Sequence, residues 1–147
     1  MGWLDDLQGQ VVALDSAPLI YFIEQRKPYV DLLRPVFRAV EAGQFSLVTS
    51  VVTLLEVMVQ PIRYGDEALA NDYQDILLHG TNIRTEPVTL TIAQVAAELR
   101  AESRLKTPDA IHLATALEHQ AATFLTNDRD FGEVRSLKIL RIGDLTQ

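Results

Sequence analysis

Short apolar runs that suit buried strands alternate along this chain with longer segments of helical period, and the spacers are too long for tight hairpins. The first run, Gln10-Val-Val-Ala-Leu-Asp15, closes on an acid and is followed by Ser16, Ala17 and Pro18. Later runs are Phe45-Ser-Leu-Val-Thr49, a short one from Ile83 to Val88, Ala122-Thr-Phe-Leu-Thr126 and Leu137-Lys-Ile-Leu-Arg-Ile142. Strands joined through helices lie parallel, because the chain returns over one face of the sheet before the next strand begins. The alternation predicts an α/β fold with a central, mostly parallel sheet of four to five strands. No repeat or linker interrupts it, and 147 residues suffice for one hydrophobic core, so residues 1–147 are expected to form a single domain.

The helices are read from their apolar spacing. Residues 17–25 suit a first helix. Tyr29, Leu32, Leu33, Val36, Phe37 and Val40 then recur at steps of three and four, with Gly43 as the stop and Pro35 predicting a kink or two abutting helices. Val51 to Ile62 is apolar nearly all round, as in a buried cylinder, except for one polar stripe of Thr53, Glu56 and Gln60. Asp66 to His79 reads as a helix with Leu69, Tyr73, Ile76 and Leu77 inward and Gly80 beyond its end. Another spans Thr91 to about Leu105. Thr107-Pro108-Asp109 opens the last, with Thr107 as its expected N-cap and Pro108 at the first helical position.

Charge and composition limit the chemistry. Thirteen Lys and Arg against twenty Asp and Glu leave a net charge of −7, so binding nucleic acid by a basic coat is excluded; the longest basic run is Arg26-Lys27. The absence of cysteine removes disulfides, thiolate nucleophiles and Cys-based metal sites. The first residues lack the pattern of a signal peptide, and no apolar run approaches the roughly 20 residues of a membrane span. A cytoplasmic location with no membrane association is the expectation.

In open parallel sheets ligands sit beyond the carboxyl ends of the strands, where acids carry the most information. Asp15 closes the first strand, and Asp128 follows Phe124-Leu-Thr126 after one residue. Glu56 lies on the helix leaving the second strand, and Asp109 in the opening turn of its own helix, so four carboxylates can face one edge. Two carboxylates about 4 Å apart repel by roughly 4 kcal/mol at an effective dielectric near 20, so such a cluster calls for protons or a cation. Oxygen donors without cysteine favour Mg²⁺ or Mn²⁺ over zinc or copper. These four acids account for four of the seven units of net negative charge. Each also has an ordinary role: Asp15 as a helix cap, Asp109 as an acid at a helix N-terminus, Asp128 as a turn residue, and Glu56 on an exposed strip.

The segments Asp15-Ser-Ala-Pro-Leu-Ile20, Ser50-Val-Val-Thr-Leu-Leu-Glu56, Thr107-Pro-Asp-Ala-Ile-His-Leu-Ala114 and Phe124-Leu-Thr-Asn-Asp128 with Arg-Asp-Phe131 resemble, in order, the motifs of PIN-domain ribonucleases. The resemblance is greatest to VapC-like toxins of type II toxin–antitoxin systems and spans about Val11 to Ile142. It implies a three-layer α/β/α PIN-like domain and an endoribonuclease. Its acids, here Asp15, Glu56, Asp109 and Asp128, would be the catalytic, metal-binding residues, holding Mg²⁺ with Mn²⁺ as a substitute. Ser16 and Thr126 match small hydroxyl positions that orient carboxylates, with local capping as their ordinary alternative. Asp130 falls near a further acidic position that some members use. The resemblance also implies an RNA substrate, a cognate antitoxin that blocks the acidic pocket, and a homodimer.

Other residues are read more plainly. His112, three residues after Asp109 on the same helical face, is expected to be a hydrogen-bonded structural histidine, with substrate contact or proton transfer as its alternative. Arg26, Lys27, Arg63 and Arg129 suit either a solvated face or the RNA backbone, and Asp5 and Asp6 suit the surface. Two competing functions remain open. A catalytically silent PIN-like binding or assembly module has no physical need for clustered carboxylates. An aspartyl-phosphate phosphatase would need a second aspartate two residues after Asp15, where Ala17 stands.

Overall fold

The apolar run at Val11–Leu14 forms β1, the middle strand of a five-stranded sheet. In the computed structural model, which describes residues 2–145, β2 (Ser46–Ser50) and β4 (Thr123–Thr126) flank it. β3 (Ile83–Glu86) lies beyond β2 and β5 (Lys138–Arg141) beyond β4. Every pairing between these strands is parallel, with Val12 opposite both Leu47 and Thr123. Of the expected single unit 1–147, Met1, Thr146 and Gln147 lie outside the described residues.

Alternation along β1 divides the core into two layers. Val12 and Leu14 pack with residues of α1 (Ser16–Ile23), α2 (Val30–Glu41), α3 (Val51–Arg63) and α4 (Glu67–His79). Ala13 points the other way, into a cluster built from α5 (Leu90–Glu102) and α6 (Thr107–Glu118) with Val48, Phe124 and Phe131. The α/β architecture with a parallel sheet is as expected, at the upper end of the strand count. Among the described residues no helix is long and apolar enough to cross a membrane.

Three local expectations need correction. Pro35 does not divide its segment, because α2 runs unbroken from Val30 to Glu41 with Pro35 inside it. Pro35 is only half-buried, while Leu33, Val36, Phe37 and Val40 hold the other side of the helix in the core. The helix ends as predicted, with Gly43 at φ +82°, a conformation that disfavours a side chain. Thr107 is not the N-cap of α6: Lys106 takes that position without a side-chain cap, and the Thr107 hydroxyl instead accepts from Arg100 Nη1 at 3.0 Å. Finally, α3 is not buried all round. Val57 and Met58 enter the core, but Leu55 and Ile62 are 66% and 69% exposed.

Candidate active site

Two neighbouring parallel strands deliver the first pair of acids. Asp15 follows β1 directly, and Asp128 stands two residues beyond β4, so both emerge at the same sheet edge. Asp15 caps α1, its Oδ1 accepting from the Ser16 amide at 2.8 Å. Its Oδ2 accepts from the Thr126 hydroxyl at 2.7 Å. The same Thr126 oxygen accepts the Asp128 amide at 3.0 Å, so one buried hydroxyl ties the ends of both strands together. Asp128 Oδ1 in turn accepts the Asp130 amide at 2.8 Å, which shapes the loop.

The second pair comes from helices. β2 passes straight into α3 through Ser50, whose hydroxyl accepts from the Val52 amide at 3.0 Å, and Glu56 lies in the helix that this cap starts. Thr53, the first residue of the predicted polar stripe, is buried and hydrogen-bonded to Thr49 at 2.8 Å. Asp109 lies in the first turn of α6, and His112 follows one turn later. The His112 Nε2 lies 2.7 Å from Glu56 Oε1 and 3.8 Å from Asp15 Oδ1. Its Nδ1 is buried without a hydrogen-bond partner.

Electrostatics register this convergence. Burial, then the charges of Asp15 and Asp128, push the Asp109 carboxyl up to about 6; His112 opposes them and Glu56 adds to them. Burial likewise raises Asp15, against the stabilising effects of His112, Thr126 and the Ser16 amide. Burial alone would lower His112, but its hydrogen bond to Glu56 and the charges of Asp15, Glu56 and Asp109 outweigh it and raise the imidazole. An imidazole raised in this way favours its charged form and partly neutralises the acids around it.

All four acids named from the sequence therefore act electrostatically on this one site, with Asp109 under the influence of the other three. Ser16 takes part through its backbone amide and Thr126 through its hydroxyl. Asp130 also contributes an amide, while its residue lines a different cleft beside Leu105 and Leu113. His112 is hydrogen-bonded as expected, yet its partner is a site acid rather than a core group. Arg129 pairs at the surface with Asp144 at 3.5 Å, and Arg63 is exposed.

Among the described residues, no three His, Asp or Glu side chains form a ready-made metal-binding group. Asp15 is turned to Thr126 and Ser16, and Glu56 to His112. The donor chemistry nonetheless suits a hard divalent cation: the acids supply oxygen, and a cation would offset both the burial and the neighbouring charges that raise Asp109.

Residues 12–137 match the family model described as PIN domain. Among curated proteins, none matches the chain. A chain of a toxin–antitoxin complex from Klebsiella pneumoniae is 28% identical, with a TM-score of 0.60 over 86% of this chain and 94% of that one. VapBC2 from Rickettsia felis, solved bound to a DNA fragment from its promoter, shares 17% identity at a TM-score of 0.67, covering 89% and 98%. Mycobacterium tuberculosis VapC20, described as a Sarcin-Ricin loop cleaving toxin, shares 17% identity at 0.62, covering 77% and 86%. The last two likenesses concern the fold alone. With the family model covering most of its length and the acids gathered at the edge of a parallel sheet, the chain belongs to the PIN domain family.

Proposed function

We propose that this protein is a metal-dependent endoribonuclease and the toxin of a type II toxin–antitoxin pair. The observation that carries the reading is the geometry that ties acids from separate elements together: Thr126 bonds Asp15 and the Asp128 amide, and His112 Nε2 lies 2.7 Å from Glu56 and 3.8 Å from Asp15, one turn from Asp109. Clustered carboxylates cost stability unless a cation is bound, and a nuclease that works through divalent ions uses them as ligands. Asp15, Glu56, Asp109 and Asp128 would hold Mg²⁺, or Mn²⁺ in its place. When bound, the metal supplies charge for the scissile phosphate and lowers the pKa of a water. Thr126 and the Ser16 amide fix the Asp15 carboxylate, and His112 holds Glu56, so the acids are oriented before substrate arrives. Asp130 serves this site by its backbone.

The partners follow from the same reading. A cognate antitoxin would block the acidic pocket. A second copy would cover the apolar strip of Val51, Leu55, Val59 and Ile62 on α3, which borders a shallow cleft with Leu78. Residues 1–147 would act as one domain in the cytoplasm. The test is cleavage of mixed cellular RNA by purified protein with Mg²⁺, Mn²⁺ or EDTA, beside Asp109→Asn. Cutting that needs both the metal and Asp109 is expected. A folded protein that leaves all RNA intact would transfer the reading to a binding role.

A further inference from the structure

The polar stripe of α3 does not stop at Glu56. One turn further on, Gln60 is exposed, and Tyr64 follows at the helix C-cap with 76% of its surface exposed. Glu56, Gln60 and Tyr64 line one cleft of about 430 Å³, so the acid that lies 2.7 Å from His112 also forms part of the wall of a cavity. A cleft of this size is within the range of about 300–1,000 Å³ in which small ligands bind.

The far wall limits what fits. Arg26 is the only Lys or Arg in the lining, and its Nη2 donates to Glu24 Oε1 at 2.9 Å. Glu24 also accepts from the hydroxyl of Tyr73, a fully buried residue, so the pair is anchored from the core. The one Lys or Arg in the lining is thus already matched by an anion, and a phosphate there would meet the further carboxylates of Glu56 and Asp66. A neutral, flat group faces no such penalty. Tyr64 offers a ring for stacking, and the Gln60 amide offers both a donor and an acceptor at a polar edge.

We infer that this cleft receives an unpaired RNA base next to the scissile phosphate, with Tyr64 stacking on it and Gln60 reading its edge. The assignment rests on the ribonuclease reading above. Single-stranded RNA is recognised by splayed bases that stack on aromatic side chains and pair with polar groups, and each stacked base adds affinity that does not come from charge. For a net-acidic protein, stacking adds affinity for a polyanion beside the charge that bound cations would supply.

A pool of short RNAs randomised in sequence, cut by the wild type, Tyr64→Ala, Tyr64→Phe and Gln60→Ala, with the cut ends sequenced, tests this. The wild type is expected to prefer particular bases at one position beside the cut. Tyr64→Ala should lower kcat/KM by between about fivefold and a hundredfold through KM, with Tm unchanged, and Tyr64→Phe should restore it. Gln60→Ala should flatten the base preference. A wild type that cuts with no preference, or variants that match it in both rate and preference, would overturn the cleft assignment and leave the nuclease standing. A folded wild type that cuts no RNA in the pool overturns both.

Discussion

The Thr126 hydroxyl donates to Asp15 Oδ2 at 2.7 Å while accepting the Asp128 amide at 3.0 Å, so a single side chain sets the spacing of two acids from different strands. Thr126→Val keeps the shape and removes both bonds. Asp15 then keeps its charge in a buried site with one donor fewer, which costs about 1–3 kcal/mol of stability. Cleavage should fall by about 10- to 100-fold, the scale of losing a group that orients a metal ligand. Thr126→Ser should recover most of both. Thermal melts and cleavage rates check this, and equal rates for Val and Ser would remove the orienting role.

As a carboxylate, Asp109 costs the metal-free fold stability. Its carboxyl is raised by burial and by the charges of Asp15 and Asp128, so the neutral amide of Asp109→Asn is easier to accommodate. The metal-free variant should melt higher than the metal-free wild type and should not cleave RNA. Added Mg²⁺ should raise the wild-type melting temperature by mass action and move the variant far less. A variant that melts lower without metal would contradict the repulsion inferred here.

The sign of the pH dependence follows from three groups. Asp109 at about 6 lies above its unfolded value near 3.8, so the folded state holds its proton longer and stability falls as pH climbs from about 4 to 6. Asp15 is raised as well and acts in the same direction. His112 is raised above 6.5, so its contribution is complete below that value and fades as pH rises through its folded pKa. The metal-free protein should therefore melt several degrees lower at pH 8 than at pH 5.5. Saturating Mg²⁺ should flatten this slope. A melting temperature that rises with pH in EDTA would show that the acids do not repel one another in solution.

How far the sequence could be read depends on the distance over which each interaction acts. Asp15 and Asp128 were legible because an apolar run and its end locate a residue at the sheet edge, and parallel pairing of β1 with β4 then aligns both. Asp109 was legible from the Pro108 beside it, although the cap lay one residue earlier than expected because Thr107 turns to Arg100. The bond from His112 to Glu56 spans 56 residues and joins α6 to α3, which helical spacing cannot reveal. The only signal was that His112 shares a helical face with Asp109. Thr126 gave a matched motif, but its hydrogen bond to Asp15 spans 111 residues and depends on the strand order. On α3, apolar residues all round suggested burial, and nothing in the spacing told Leu55 from Val57, since exposure depends on which neighbour covers each side.

That uncovered side of α3 supplies the last prediction. Val51, Leu55, Val59 and Ile62 repeat at steps of three and four along one strip, and Leu78 of α4 lies exposed beside it. Isolated exposed leucines are ordinary, but a continuous strip this long is what an interface between helices presents. A two-fold dimer would set the strip against its own copy, so each substitution is counted twice in the interface. Leu55→Glu combined with Ile62→Glu places carboxylates where each is solvated in the free chain, with little cost to folding. In the dimer those charges would lie desolvated and facing like charges, which costs several kcal/mol. Sedimentation should find a dimer for the wild type and a monomer for the double variant, with similar melting behaviour at low concentration. A wild type that sediments as a monomer, or a double variant that remains dimeric, would move the interface away from α3.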